Sequence, residues 1–335
     1  MKLFRRLAVA ILAVGLCLGF AAPVGSVESD DANDLARKAA PAVASEGYFL
    51  VEEDGELFAF GTAREQLRIM DTNATDLDIR QVTRSAILKP QLGLARALAI
   101  AATPTGEGLW VLLTDGRILH LGAATAFGPV PLAEMNKIVV GEPERLSTMS
   151  ATPDGQGLWV FSTAGRIFDF GTATPGSAMA NYNIILGLVL QGPVVATVPT
   201  VTGEGVYMAA ADGGLFTAGD AVFIDSVRGA LLKIFGVPLF PVLPIVGIVP
   251  DADGIGYYMV GADGGVFSFD APFVGSLPEI VPYADLAADV VGMVTFGNGY
   301  LLVAADGGVF DFSSSAFQGS ASGLVGTKVV GIAPI

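Results

Sequence analysis

Six times along this chain a glycine opens a short apolar, aromatic-rich run, a glycine-containing turn follows, and a second apolar run closes the unit. The copies begin at Gly47 (GYFLVEEDGELFAF), Gly108 (GLWVLLTDGRILHL), Gly157 (GLWVFSTAGRIFDF), Gly205 (GVYMAAADGGLFTA), Gly256 (GYYMVGADGGVFSF) and Gly299 (GYLLVAADGGVFDF). Runs of about five residues have strand length, not helix length. Asp-Gly between them predicts a hairpin, because both residues adopt positive φ at little cost. Asp54, Asp115, Asp212, Asp263 and Asp306 occupy that turn, whereas the third copy has Ala164-Gly165 and is expected to turn less firmly.

A Val/Ile-rich run precedes each glycine from the second copy on: Leu98–Ala101, Leu146–Ser150, Val194–Val198, Ile245–Val249 and Val290–Val294. Turns such as TPDGQG (Thr152–Gly157) join it to the next run, and a short segment such as APFVGS (Ala271–Ser276) or AFQGS (Ala316–Ser320) follows the last. These segments predict four strands per unit. Six four-stranded antiparallel sheets, at intervals of about 43–61 residues, predict an all-β fold, a six-bladed β-propeller. The first copy lacks its Val/Ile run, and the chain ends in KVVGIAPI (Lys328–Ile335), which is similar to IVGIV at Ile245–Val249. The C-terminal strand is therefore expected to complete the first blade and close the ring over residues 46–335, removing open sheet edges.

The units resemble glycine- and aromatic-rich repeats found in tandem in secreted actinobacterial proteins, with a consensus near GYWLVASDGGVFSFGDAPFYGS. Gly256–Ser276 (GYYMVGADGGVFSFDAPFVGS) and Gly299–Ser320 (GYLLVAADGGVFDFSSSAFQGS) carry the likeness most strongly. The resemblance spans Gly47 to the C-terminus and implies a propeller-like, extracellular protein. It implies no functional residue.

Met1–Ser26 reads as a signal peptide, with Lys2, Arg5 and Arg6 ahead of the apolar stretch Leu7–Phe20 and small residues for cleavage after Ala21 or Ser26. A leucine at position 16 disfavours lipidation at Cys17, and Leu7–Gly25 is long enough to serve instead as an uncleaved anchor. Residues 27–45 read as an acidic, Ala-rich linker. The protein is thus expected to be secreted or held at the cell envelope. Removing Met1–Ser26 takes away three basic residues and no acidic one, so the formal charge of −15 becomes more negative by three. That acidity argues against nucleic acid as a partner. The exported chain would also lack its single cysteine. The chain is 52% hydrophobic and 15% charged, as expected of strands covered on both faces. A transmembrane barrel would need strands of about 9–11 residues, longer than these runs.

Candidate chemistry is sparse. His120 is the only histidine and takes a repeat position held elsewhere by Ala59, Asp169, Thr217, Ser268 and Asp311, so it is expected at a solvated edge. No metal site and no cofactor are expected. Asp251-Ala252-Asp253-Gly254 lacks the remaining ligands of a calcium loop, and the turn aspartates are expected to bond their own backbone. The recurrent Gly-x-Gly, as at Gly155/Gly157, has no helix after it and reads as a turn. Phe49, Trp110, Trp159, Tyr207 and Tyr258, with Leu301, share one repeat position and are expected in the core.

The connectors stand out. Ile184–Leu190 (IILGLVL) and Leu231–Leu243 (LLKIFGVPLFPVL) are apolar where connectors are ordinarily polar. They either fold over the blades as core or form an exposed binding patch. Ile184, Ile185, Leu186, Phe235, Leu239 and Phe240 are the candidate contact residues. The favoured reading is a monomeric, non-catalytic interaction module that engages an envelope protein, a glycan or a hydrophobic ligand. The alternative is an extracellular carbohydrate-active lyase or hydrolase using carboxylates in the central channel. A plain structural spacer is the third reading.

Overall fold

The computed structural model describes residues 46–77, 81–173, 183–251 and 254–335; the segments read from sequence as signal peptide (1–26) and linker (27–45) lie outside them. The described chain is dominated by small antiparallel sheets. Five of them have three strands each. The second sheet is Ala97–Ala102, Gly108–Leu113 and Ile118–Gly122, and the third is Leu146–Ala151, Gly157–Ser162 and Ile167–Gly171. The fourth is Val194–Pro199, Val206–Ala210 and Leu215–Ala218, and the fifth is Ile245–Pro250, Tyr257–Gly261 and Val266–Phe269. The sixth is Val290–Phe296, Gly299–Ala304 and Val309–Phe312.

The first sheet joins the two ends of the chain. Gly47–Glu52 pairs on one side with Leu57–Gly61 and on the other with the C-terminal Val329–Pro334, with Leu50 opposite Ile332. Val82–Ser85 and Thr75–Leu77 extend it outward to five strands. Each Val/Ile run is the inner strand of its sheet, and the inner strands pack on one another in chain order. Val329–Pro334 packs between those of the sixth and second sheets.

Four strands per unit is thus corrected to three in five sheets. The segments expected as fourth strands, Ala271–Ser276 and Ala316–Ser320, form no strand among the described residues. Pro272 lacks a ladder donor, and Gly275 and Gly319 sit at φ 126° and 129°, away from extended backbone. Instead, the connectors hold short helices, Ala63–Met70, Lys89–Leu92, Asn183–Leu186 and Val227–Phe235 among them.

The core is divided between neighbouring sheets. Phe49 and Val51 meet Leu109 and Val111 of the second sheet. Trp159 and Phe161 meet Val206 and Met208. Tyr48 and Leu50 meet Leu301 and Val303 of the sixth. Middle strands such as Gly108–Leu113 and Gly157–Ser162 are buried at every position because a sheet covers each face, which explains the near-continuous apolar runs. The shared aromatic position lies in these layers, as expected, from Phe49 and Trp110 to Tyr207 and Tyr258.

The hairpins form where the Asp-Gly pairs predict them, but the expectation of positive φ at both residues is corrected: the glycine takes it, as Gly55 does at 85°, and none of the five aspartates does. Asp54, Asp115, Asp212, Asp263 and Asp306 each accept a hydrogen bond from the N–H two residues on. Ala164-Gly165 makes the same backbone turn, with Gly165 N–H on the Ser162 carbonyl. In the Gly-x-Gly turns the second glycine is demanded by a crossing chain. A Cβ on Gly157 would stand 2.4 Å from Ala173 N and 2.7 Å from the Phe170 carbonyl.

Candidate functional site: an apolar connector surface

The connector from the fourth sheet to the fifth is built as a fixed platform. Ser226 caps the helix Val227–Phe235, accepting from Gly229 N–H, and Gly236 ends it in the left-handed conformation. The Tyr257 hydroxyl donates to the Asp225 carbonyl at 2.6 Å and accepts from the Ile224 and Asp225 N–H groups. Burial pushes that phenol above its ordinary range. Arg228 donates to Asp212 Oδ2 at 2.8 Å, tying the helix to the fourth hairpin. Its guanidinium lies 4.7 Å from the centre of the Phe240 ring.

This helix buries one side and leaves the other bare. Val227 and Leu231 are buried, while Leu232 and Ile234 are exposed. The segment after it continues the bare side through Phe235 (40% exposed), Val237, Leu239 (37%), Phe240 (53%) and Val242. Beside the Arg228–Asp212 pair a groove of about 370 Å³ runs between Leu188–Gly192 and Asp212–Phe216. Its lining takes Leu188, Val189 and Leu190 from the first apolar connector, but from the second connector only Ser226 and Arg228, ahead of Leu231–Leu243.

Phe235, Leu239 and Phe240 are surface residues. Ile185 is not. It is 5% exposed and packs with Trp159, Phe161 and Val194, so its assignment as a contact residue is corrected to core. Leu186 is half-buried, and the side chain of Ile184 lies outside the described residues. Leu188 and Val189, from the same apolar run, are the exposed members. Arg228 and Asp212 could not be paired from sequence, because they meet only when helix and hairpin dock.

His120 is exposed on an outer strand opposite Trp110, the expected edge position. Ala252 and Asp253 of the acidic turn lie outside the described residues, and among those described no group of acidic, histidine or cysteine side chains could hold a metal. The inner strands enclose a cavity of about 380 Å³, and its described lining contains no Asp or Glu. The carboxylates that the glycosidase alternative requires are thus absent from that lining. No helix among the described residues is long and apolar enough to cross a membrane.

No family model matches the chain, and no curated protein matches it in sequence. Among solved structures, the β-propeller domain of Cps50 (Swd1) from Myceliophteria thermophila is similar at 8% identity and a TM-score of 0.43, over 83% of each chain. A likeness of that size carries neither residue roles nor partners.

Proposed function

We propose that this chain is a six-bladed β-propeller closed by its C-terminal strand, exported through Met1–Ser26, and acting as a non-catalytic interaction module at or outside the cell envelope. The order of inner-strand packing and the pairing of Gly47–Glu52 with Val329–Pro334 support the ring. The apolar leader and the resemblance to secreted repeats support export. The observation that carries the binding role is the bare apolar side of Phe235–Val242, held by a capped and anchored helix. An apolar surface fixed in advance costs little ordering on association, which is what a docking surface needs. The exposed set is aliphatic and phenylalanine, with few hydrogen-bonding groups, and so fits an apolar protein surface better than a glycan.

The test is affinity capture from envelope extract with residues 27–335, beside Phe235→Ser/Phe240→Ser. Because both rings are half outside the core, the variant should keep its fold. A partner retained by the parent and lost by the folded variant supports the reading, provided the purified partner also binds the parent alone. Equal capture by both proteins rejects this surface.

A further inference from the structure

The cavity among the inner strands has a repeated construction that the interaction role does not use. Every inner strand carries a β-bulge at its second residue, where one extra residue is left out of the pairing with the middle strand. The extra residues are Leu98, Ser147, Val195, Val246, Val291 and Val330. A bulge re-aims its side chain, and all six are half-buried and line the cavity. They form a collar, five parts branched aliphatic and one part hydroxyl. Inner-strand residue one pairs with the end of the middle strand, as Ala97 does with Leu113, so the collar sits toward the Asp-Gly hairpins.

One residue further on, the lining becomes small. Ala99, Thr148, Ala196, Gly247, Gly292 and Gly331 form a belt in which backbone is within reach of a ligand. Each inner strand has a ladder partner on one side only, so its other edge carries N–H and C=O groups outside the ladders, part of them bonded to the preceding hairpin, as Val194 N–H is to the Thr163 carbonyl. Several hydroxyls of the lining are already engaged between strands. Ser147 donates to the Val194 carbonyl, Ser150 to that of Thr197 and Thr295 to that of Pro250.

From this lining we infer that the cavity is a binding site for a small uncharged aliphatic molecule bearing a hydroxyl, such as a short-chain alcohol. Among the described residues no ionisable side chain lines it, so a charged ligand would be left without a counter-charge there, at a desolvation cost. Nor, among the described residues, does any aromatic ring line it to provide the stacking platform that sugars and bases use. The collar would hold the alkyl part, and the belt with its backbone edges would receive the hydroxyl. The volume, 380 Å³, falls in the range of about 300–1,000 Å³ typical of small-molecule sites.

The experiment is titration of methyl-labelled protein with 1-hexanol, followed by NMR at Val195, Val246, Val291 and Val330. Hexanoate and hexylammonium serve as charged controls of equal length. Saturable shifts at these methyls with hexanol, and affinity at least about tenfold weaker for both ions, are expected. Val246→Trp, which fills the collar, should abolish the response, and Phe235→Ser/Phe240→Ser should leave it intact. Absence of saturable shifts in the parent, equal binding of hexanoate, or shifts confined to Leu188 and Val189 would each overturn the proposal. The parent titration decides the matter even if Val246→Trp does not fold. The outcome is independent of whether the connector surface captures a partner.

Discussion

The Tyr48 hydroxyl donates to the Gly319 carbonyl at 2.5 Å, joining the first strand of the described chain to the connector beyond the sixth sheet, 271 residues away. The same bond recurs inside the chain, where Tyr300 reaches the Gly275 carbonyl and Tyr257 reaches that of Asp225. In each case a tyrosine after the repeat glycine holds the connector of the preceding sheet. The first and sixth sheets are thus linked as consecutive sheets are.

Tyr48→Phe should cost about 0.5–1.5 kcal/mol, the usual net value of one hydrogen bond, with chemical denaturation as the measure. Its pH dependence has a defined sign. Burial first, then the Asp311 charge, pushes the Tyr48 phenol far above the ordinary tyrosine value, and burial acts likewise on Tyr300. The unfolded chain loses those protons near pH 10, while the folded chain keeps them. Stability is therefore full below about pH 10 and falls as pH rises beyond it. Tyr48→Phe/Tyr300→Phe should flatten that alkaline decline; an unchanged slope would show that these phenols are not the cause.

Glu144 should behave in the opposite sense. Its side chain is fully buried and accepts from Ser162 Oγ, Arg166 Nε and the N–H groups of Asn136 and Lys137. Burial alone would raise its pKa, but Arg166, Ser162 and the Lys137 N–H outweigh it and hold the carboxyl below the ordinary range. The resulting stability is present above the unfolded glutamate value of about 4.3 and is lost as pH falls below it. Glu144→Gln should cost about 1–3 kcal/mol at neutral pH and weaken the acid limb of a stability profile.

One helix offers an internal comparison. Leu231 is 1% exposed, and Leu231→Ala should cost about 2–5 kcal/mol through the cavity it leaves. Phe240 is half exposed and meets Arg228 face-on, so Phe240→Ala should cost no more than about 1 kcal/mol. Comparable melting-temperature losses for the two would contradict the division of this connector into a core side and a bare side.

Two glycines separate crowding from open space. Neither Gly157 nor Gly128 has a positive φ, yet a Cβ at Gly157 meets backbone at 2.4 Å and one at Gly128 meets nothing within 4 Å. Gly157→Ala should destabilise by about 1–3 kcal/mol and Gly128→Ala should be neutral, as read by urea midpoints.

Much of this arrangement was legible in the chain. The Val/Ile runs are the inner strands, the Asp-Gly pairs are hairpins, and KVVGIAPI lies beside Gly47–Glu52, each because local pattern and tertiary demand agree. The outer edge was misread, since APFVGS looks strand-like in hydropathy while Pro272 and Gly275 deny it a ladder. The helix at Val227–Phe235 had readable ends in Ser226, Gly236 and Pro238, yet its apolar content masked them. The division of IILGLVL into buried Ile185 and bare Val189 depends on the Trp159–Val194 layer beneath it, which no local pattern states. The collar was hidden for a similar reason: a bulge is a property of two paired strands and leaves no mark in either alone.

The proposal that the C-terminal strand closes a ring is tested most directly by the melting temperature of a protein lacking Lys328–Ile335. Val329 is fully buried and Ile332 nearly so, each worth about 1.5–3 kcal/mol on burial, and Val329 N–H bonds the Ala305 carbonyl of the sixth hairpin. Their removal would bare both Gly47–Glu52 and the core between the first and sixth sheets. The truncated protein should unfold or aggregate at temperatures the parent withstands. An unchanged melting temperature, with an unchanged denaturant slope, would contradict closure by this strand.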